Sequence, residues 1–371
     1  MSWRLCTFEP LDVLAHADAR ALDLGGWGHA GEISPAGFAG SLRTLVLRRA
    51  GYDFARGPND QEDGPRRAAQ AVGVPDAEGS RSFRFAGPLR ARADGALLLP
   101  LPRIALWNEG DPGSADELEL RQGDQPEHDG MQRFRLLRTP SRDLAPDPRL
   151  ATLAHLCWQL GAVAEHVPEL VRLFAKSQLA PDDLVTRGSI ALTERRTGHV
   201  RASGGAPVEG MLFSRSVERC VWSAGDGRPH GHAGLLRGVD EWLPEEPQLV
   251  RLGGDGHLAR LTFRPVEVLA PAARLLSLVR SALPVLRGLL LYLATPALFE
   301  RGWRPAPEKT PGLSLVAAAV GRPLTVAGWD LRRGRPKDVL RAVPPGSAYL
   351  YRVDDSDAAV ETAERFHLKE A

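Results

Sequence analysis

The chain has 371 residues, a hydrophobic content of 43%, a charged content of 25% and a formal net charge of +1. This composition is ordinary for a folded protein long enough for two domains, at roughly 150 residues per domain, and the near-zero charge argues against indiscriminate binding of polyanions. No apolar run is long enough for a membrane span, and three widely spaced cysteines fit neither a disulfide framework nor a zinc site, so we expect a cytoplasmic protein.

The first elements are a strand and a helix. An interrupted apolar run over residues 5–14 predicts the strand. Ser34 followed by Pro35 is typical of a helix start, because serine caps the free N–H groups and proline suits the first helical position. Apolar residues then recur at helical spacing until Gly51, which predicts the end of the helix.

A hairpin and a polar insertion follow. Residues 83–91 and 96–102 have strand character and flank Asp94-Gly95, a dipeptide that is typical of tight turns. Residues 108–130 are acidic, rich in proline, glycine and aspartate, and poor in apolar side chains. Such a segment contributes little to a core, so we predict a solvated, partly disordered insertion.

The rest of the chain mixes helices and strands. Apolar residues at helical spacing over 149–175 predict a long helix or helix pair, bent at Pro168. Residues 229–234 predict a loop, and residues 249–263 predict two strands joined by a glycine turn. Further strands are predicted over 190–200, 212–222, 288–294, 313–320 and 325–329, and further helices over 271–283 and 358–366.

Together these elements predict an α+β protein with two similar halves around an inserted helical region. The expected N-terminal domain covers residues 1–145 and includes the acidic insertion at about 108–130. A helical insertion or linker covers residues 146–186, and the C-terminal domain covers residues 187–371.

Catalytic, metal and cofactor sites are not predicted. The chain lacks a nucleophile elbow and a phosphate-binding P-loop. His230 and His232 lie in a predicted loop with no carboxylate or cysteine pair at ligand spacing. His16 and His29 flank a glycine-rich run and leave one alternative open, a metal-independent ribonuclease with a histidine acid and base. They are equally compatible with ordinary polar loop histidines.

Phosphate contacts are the more specific possibility. Glycine-bearing loops at residues 25–28, 253–256 and 334–337 each adjoin a predicted strand, and glycine lets backbone N–H groups approach phosphate oxygens. Lys337 lies in the third loop and is one of only four lysines, so it offers a compact charge in a chain that otherwise uses arginine. Ordinary hairpin turns remain the alternative interpretation of all three loops.

Several motifs, in order and spacing, cover most of the chain outside the acidic insertion. They are Glu9-Pro-Leu-Asp-Val-Leu14, Ile33-Ser-Pro-Ala-Gly-Phe38, Phe85-Ala-Gly-Pro-Leu89, Glu194-Arg-Arg-Thr-Gly-His199, Leu252-Gly-Gly-Asp-Gly256, Gly328-Trp-Asp330, Pro336-Lys337 and Val343-Pro-Pro-Gly-Ser347. In this order they resemble the RAMP-type subunit of the type III-B CRISPR (Cmr) effector complex. Two features depart from that pattern: Ala15-His-Ala-Asp18 stands where relatives tend to carry aromatics, and the RRM aromatic signature is absent.

The resemblance implies two ferredoxin-like (RRM-related) RAMP domains and a non-catalytic role in antiviral interference. The subunit is expected to hold the 5′ tag of the guide RNA (crRNA) and to contact the large polymerase-like subunit and the first backbone subunit, with no small-molecule substrate. A protein adaptor whose basic loops never touch RNA is a third possibility. The RNA contacts expected from the resemblance are Ser34, Gly40, Arg43, Arg195, Arg196, Gly253, Gly254, Gly256, His257, Trp329, Arg333 and Lys337.

Overall fold

The computed structural model describes most of the chain, in several ranges. These are residues 3–15, 27–28, 35–103, 106–108, 135–136, 144–146, 150–152, 184–225, 227–254, 256–265, 276–277, 279–281, 283, 288–327, 329–330 and 335–366. Within them the sheets are largely antiparallel and helices are few, which confirms the predicted α+β class.

The helices and strands are numbered in chain order. The α-helices are α1 (Pro35–Arg49), α2 (Asp63–Val72), α3 (Arg187–Ile190) and α4 (Ser356–Phe366). The strands of the first half are β1 (Arg4–Pro10), β2 (Val13–Leu14), β3 (Trp27–Gly28), β4 (Arg84–Ala91), β5 (Leu97–Pro100), β6 (Leu106–Asn108), β7 (Arg135–Leu136), β8 (Leu144–Pro146), β9 (Leu150–Thr152) and β10 (Leu184–Val185). Those of the second half are β11 (Ala191–Arg201), β12 (Pro207–Cys220), β13 (Gly231–Arg237), β14 (Gln248–Arg251), β15 (Leu258–Pro265), β16 (Gly288–Tyr292), β17 (Leu313–Ala319), β18 (Leu324–Val326), β19 (Trp329–Asp330), β20 (Arg335–Pro336), β21 (Leu340–Ala342) and β22 (Ala348–Val353).

The described residues divide into two compact units, each built from separate segments of the chain. Unit 1 draws on residues 1–95, 188–266 and 325–340, and unit 2 on the remaining residues. Segments that the sequence analysis assigned to different domains therefore contribute to unit 1. The boundaries near residues 145 and 186 remain a prediction about which segments fold independently.

The main sheet of unit 1 has β1 near its centre. Five of its strands lie in the order β4, β13, β1, β15 and β14, with antiparallel neighbours. Because β1 and β4 are both antiparallel to β13, they are parallel to each other, and α1 lies in the connection between them. Side chains alternate across a strand, so Cys6 and Phe8 of β1 face the helices and pack with Phe38 and Leu42 of α1.

Helix α1 forms as the sequence predicts. Phe38, Leu42 and Val46 recur at four-residue spacing and are fully or almost fully buried. The helix ends at Arg49, and Gly51, two residues further on, has a φ of +77° that suits a left-handed C-terminal position. The Gly51 N–H donates to the Arg48 carbonyl at 3.0 Å and the Tyr52 N–H to the Leu47 carbonyl at 2.9 Å, which satisfies carbonyls at the helix end.

A second sheet of unit 1 is built on a long two-stranded ribbon. We call β11 and β12 together the ribbon; they pair from Ala191↔Cys220 to Arg201↔Pro207 with one register shift near the tip. The other edge of β12 pairs with β2 in an antiparallel and with β3 in a parallel arrangement. The ribbon is thus attached to the chain that directly follows β1.

Unit 2 has its own core. Strands β16, β22, β17 and β7 lie side by side, and Leu289, Tyr349 and Ala359 belong to one buried cluster. Helix α4 begins after Asp355, whose Oδ1 accepts hydrogen bonds from the N–H groups of residues 357 and 358 at 3.0 and 3.2 Å. This is an N-cap, which satisfies free donors of the first turn.

Two sequence predictions need correction, and one helix was not predicted. Residues 229–234 were predicted to be a loop, but residues 231–237 form β13 inside the main sheet. Residues 150–152, expected to begin a helix, form β9; the rest of the 149–175 prediction and residues 109–130 of the insertion lie outside the described residues. Helix α2 was not predicted, although Gly73, with φ of +70°, closes it in the usual way.

Candidate nucleic-acid interface

The turn between β14 and β15 contains four of the predicted RNA contacts. The Leu252 N–H donates to the His257 carbonyl at 2.9 Å, which closes a glycine turn between antiparallel strands. Gly253, Gly254 and Gly256 are exposed, so their backbone is open to a ligand. The His257 side chain turns inward: its Nε2 is enclosed and makes no hydrogen bond to the described residues. His257 therefore does not present this nitrogen to solvent.

This turn is attached to the chain after β2. The Gly254 N–H donates to the Ala15 carbonyl at 2.9 Å. Gly253 has φ of +78°, and a Cβ placed on it would lie 2.7 Å from the same carbonyl oxygen. Glycine is therefore required at residue 253 both by backbone conformation and by close approach. At Gly254 a Cβ would lie 3.7 Å from that oxygen, an ordinary contact.

Arg195 and Arg196 occupy opposite faces of the ribbon, as neighbours on a strand must. Arg195 is exposed and lies opposite Ser216, whereas Arg196 is half-buried and lies opposite Arg215. Arg196 Nη2 is 3.5 Å from Glu194 Oε2 and 3.7 Å from Asp12 Oδ1. Two carboxylates therefore lie near Arg196, and Arg195 is the more exposed of the two side chains.

Glu194 also pairs with Arg219 on the neighbouring strand. The Arg219 guanidinium donates two hydrogen bonds to the two carboxylate oxygens. Chiefly through this hydrogen bonding, the pKa of Glu194 is held below its ordinary value. The pair is exposed and therefore contributes little to stability, but it neutralises charge at the base of the ribbon.

Residues 12–15 bring these features together. Asp12 is near Arg196, Val13 and Leu14 pair with β12, and Ala15 accepts the hydrogen bond from the glycine turn. Strand β3, which contains Trp27 and Gly28 of another glycine-bearing segment, lies alongside the same strand of the ribbon. Two of the three glycine-bearing loops therefore converge on the ribbon.

Two of the predicted contacts on α1, Arg43 and Gly40, already interact with other residues of the protein. The Arg43 guanidinium lies 5.0 Å from the ring centroid of Phe83, a fully buried residue, which indicates a cation–π contact at the core boundary. Gly40 is half-buried, and its carbonyl accepts a hydrogen bond from Thr44 Oγ1 at 2.8 Å. Ser34 lies outside the described residues, so its expected role as a helix cap stays a prediction.

The predicted contacts near the C-terminus lie on or near a short hairpin. Trp329 pairs with Pro336 and Asp330 with Arg335 in the β19–β20 ladder. Lys337 directly follows this ladder and is exposed. Arg333 lies outside the described residues, and Trp329 is a strand position of this ladder.

A buried cluster that the sequence analysis missed joins the ribbon to the main sheet. Arg90 of β4 donates through both terminal nitrogens to the Glu218 carboxylate, from Nη1 to Oε1 at 2.6 Å, and His232 Nε2 lies 2.9 Å from Glu218 Oε1. His232 is fully buried and its ring meets that of Phe38 edge-on, 5.4 Å between centroids. The cluster thus connects β12, β4 and β13 beneath α1.

Electrostatics explains why this cluster is stable in the interior. Burial alone would raise the pKa of Glu218, but hydrogen bonds from His232 and Arg90 and the positive charge of Arg90 outweigh it, and the pKa falls below its ordinary value. Burial and the Arg90 charge lower the pKa of His232, partly opposed by Glu218, so the imidazole is neutral near pH 7. An ionised Glu218 is therefore balanced by Arg90.

Cys220 adds a third ligand-capable side chain to this cluster. One such atom from each of Glu218, Cys220 and His232 lies within 4.8 Å of the others. Burial, together with the nearby Glu218 charge, raises the pKa of Cys220 to about 12, so the thiol is protonated. The Arg90 guanidinium occupies the Glu218 carboxylate and already supplies positive charge there. The charge of the Glu218 carboxylate is thus already balanced by its ion pair with Arg90.

Comparison with known proteins identifies a family. The model of the family described as CRISPR-associated protein (Cas_Cmr3) matches residues 6–368. This match confirms the resemblance found in the sequence. No curated protein matches the chain. Among the described helices, none combines the length and apolar character that a membrane crossing requires.

Two solved structures show overall similarity. The first is titled as the Type III-B Cmr-beta bound to cognate target RNA and AMPPnP; the matching chain has 12% identity and a TM-score of 0.46, with 93% of this chain and 86% of that chain covered. The second is titled as the Type III-B Cmr-beta bound to cognate target RNA; its chain has 13% identity and a TM-score of 0.45, with 94% and 86% covered.

Proposed function

The chain belongs to the CRISPR-associated Cas_Cmr3 family, and from this premise we propose that it is a non-catalytic, crRNA-binding and scaffolding subunit of a type III-B Cmr interference complex. Its role is to hold the 5′ tag of the crRNA. Its protein partners are the large polymerase-like subunit and the first backbone subunit, and its location is the cytoplasm. The described free cysteines Cys6 and Cys220 suit a reducing compartment.

The observation that carries this proposal is the convergence at the ribbon. The glycine turn of residues 253–256 is attached to the arginine-bearing ribbon through residues 12–15, and the β3 segment pairs directly with β12 of the ribbon. A protein adaptor has no need to gather exposed glycine backbone and arginine side chains in one place. A binding site for single-stranded RNA needs both, because backbone N–H groups and guanidinium groups contact the phosphates and base edges of the RNA.

We further propose that unit 1 is a ferredoxin-like domain. In support, parallel β1 and β4 are separated by an antiparallel strand and connected through α1, which is a split β-α-β arrangement. The connection from β13 to β15 differs: it contains a 3-10 helix at Asp240–Trp242 and strand β14. A second ferredoxin-like domain in the C-terminal half remains part of the proposal.

Binding of tagged crRNA by the assembled complex tests the RNA-binding role. Arg195→Ala and Arg196→Ala remove the two predicted arginine contacts of the ribbon, and Arg301→Ala, which changes an exposed arginine of unit 2, is the matched control. Each ribbon variant is expected to weaken crRNA binding and to lower the slope of log affinity against log salt by about 0.7 per lost phosphate contact. If both ribbon variants match the control while the complex assembles, the ribbon does not bind the guide and the proposal fails.

A further inference from the structure

The loop between α1 and α2 is unusually well held for a surface segment. The side chain of Gln61 is only 8% exposed and faces back into the loop. Its Oε1 accepts from the Asp53 N–H at 3.0 Å, and its Nε2 donates to the carbonyls of Asp53 and Gly57 at 2.8 and 3.1 Å. One buried amide thus satisfies three backbone groups. We call residues 51–61 the Gln61 loop.

A second side chain holds the same loop from outside. Asn59 Nδ2 donates to the Asp76 carbonyl at 3.1 Å, and the Glu78 N–H donates to Asn59 Oδ1 at 3.4 Å. Asn59 therefore connects the loop to the segment after α2. With both ends of the loop braced, little conformational entropy remains to be lost if the loop binds a partner.

Phe54 lies at the tip of this braced loop and is 59% exposed. Its ring meets the ring of Tyr52 edge-on, with centroids 5.2 Å apart, and Tyr52 in turn packs against the hydrophobic core of unit 1. The Ala55 N–H donates to Asp53 Oδ1 at 2.9 Å, which fixes the backbone on either side of Phe54. An aromatic ring is therefore presented to solvent in one orientation.

The charge around Phe54 indicates which kind of partner it meets. Residues 51–78, which include the segment that braces the loop, contain six acidic residues and three arginines, so one negative charge remains in excess when Arg48 and Arg49 of α1 are added. Asp53 pairs with Arg56, and Asp63 pairs with Arg66 and Arg67, so the negative charge at the loop itself rests on Asp60 and Glu62. Negative charge repels the phosphates of RNA but complements lysine and arginine at the rim of a protein pocket. Buried aromatic anchors with a polar rim are the usual centre of a protein–protein interface.

We propose that the Gln61 loop is a protein-docking element whose anchor is Phe54. Its partner is an apolar pocket with a basic rim on another protein chain of the same ribonucleoprotein complex. This inference rests on the proposed function for the identity of that complex, but not on RNA binding by the ribbon. Under this proposal the Gln61 loop contacts protein, whereas the ribbon contacts RNA.

Photo-crosslinking in the assembled complex tests the contact directly. Phe54 is replaced by p-benzoylphenylalanine, and in a control the same group replaces Leu249 of β14, which is 63% exposed. The expected adduct from position 54 is a peptide of another protein chain with apolar and basic residues, at higher yield than from position 249. An adduct with RNA, or no adduct above the control, overturns the proposal.

Binding measurements give an independent test. Phe54→Ala is expected to weaken association with the partner chain at least about tenfold, as truncation of an interface anchor does, and Phe54→Leu less. Leu249→Ala is the control. Thermal unfolding and crRNA affinity are expected to be unchanged in Phe54→Ala. Loss of crRNA affinity with intact assembly, or unchanged assembly, contradicts the proposal. Failure of the ribbon variants alone contradicts only the RNA-binding role.

Discussion

Glu218 and His232 meet inside unit 1, with 2.9 Å between Oε1 and Nε2, although they belong to different sheets. His232 lies on the helix-facing side of β13, and Glu218 reaches it from the ribbon. Arg90 completes the cluster with two hydrogen bonds to the carboxylate. The angle at which the ribbon leaves the main sheet is therefore fixed by a buried polar contact.

Acid is expected to destabilise the chain through this cluster. The pKa of His232 is lowered in the folded state, so the unfolded chain takes up that proton first as the pH falls below about 6.5. The pKa of Glu218 is also lowered; its contribution is present above about pH 4.3 and is lost as the pH falls towards the folded value. Denaturant unfolding from pH 7.5 to about 2 measures both effects.

His232→Gln separates the two contributions, because glutamine keeps a donor for Glu218 but does not titrate. Its free energy of unfolding is expected to vary less than that of wild type as the pH falls below about 6.5. Identical curves for the two proteins would show that His232 does not titrate differently on folding.

Two neighbouring glycines are expected to respond differently to substitution. Gly253→Ala places a Cβ 2.7 Å from the Ala15 oxygen at φ of +78°, so we expect a loss of about 1–3 kcal/mol in the free energy of unfolding. Gly254→Ala meets only ordinary contacts and is its control, with a change within about 0.5 kcal/mol. Equal stability of both variants would contradict the described turn.

Gly254 also tests close approach of RNA. Gly254→Val adds bulk to an exposed backbone without adding or removing charge. We expect weaker tag binding by the assembled complex with little change in salt slope, since no phosphate–cation contact is lost. Unchanged affinity would indicate that the glycine turn has only a folding role.

Lys337 is expected to contact a phosphate of the guide tag. It is exposed next to the β19–β20 ladder. Lys337→Ala should weaken binding similarly for all tag sequences and lower the slope of log affinity against log salt by roughly 0.7 to 1. The measurement belongs on the assembled complex. An unaltered affinity and slope would remove this loop from the interface.

The isolated chain is expected not to cleave guide precursors or target RNA, with or without divalent metal. The sequence lacks a clustered acid–base set, and the buried His232 is engaged with Glu218 and shielded from substrate. Gel analysis of labelled RNA measures cleavage. Activity that disappears in His16→Ala or His29→Ala would favour the ribonuclease alternative.

The sequence predicted those elements that depend on neighbouring residues, such as a regular spacing of apolar side chains or a glycine at a turn. Helix α1 follows from the spacing of its apolar residues and the glycine at its end. The β14–β15 unit follows from two short strands around a glycine turn, in the predicted place. The family followed from motif order, which the match over residues 6–368 confirms.

Elements whose causes are distant in sequence were missed. Pro229, Gly231 and Gly234 make the β13 region look like a loop, but β1 and β4 supply its hydrogen bonds from far away in the chain. His232 looked like a loop histidine because its partners lie on β12, β4 and α1. That His232 lies on a central strand, and is therefore buried, becomes evident only when the pairing of β13 with β1 and β4 is known.

The arrangement of the main sheet has a consequence for biosynthesis. Strand β1 ends at Pro10, yet one of its two neighbours, β15, begins at Leu258. A ribosome adds about 5–20 residues per second, so the first strand waits on the order of 10 to 50 seconds for that neighbour. During this time its open edges are available to other chains. The nascent chain therefore exposes an unpaired strand edge until translation has passed the glycine turn and β15 is complete.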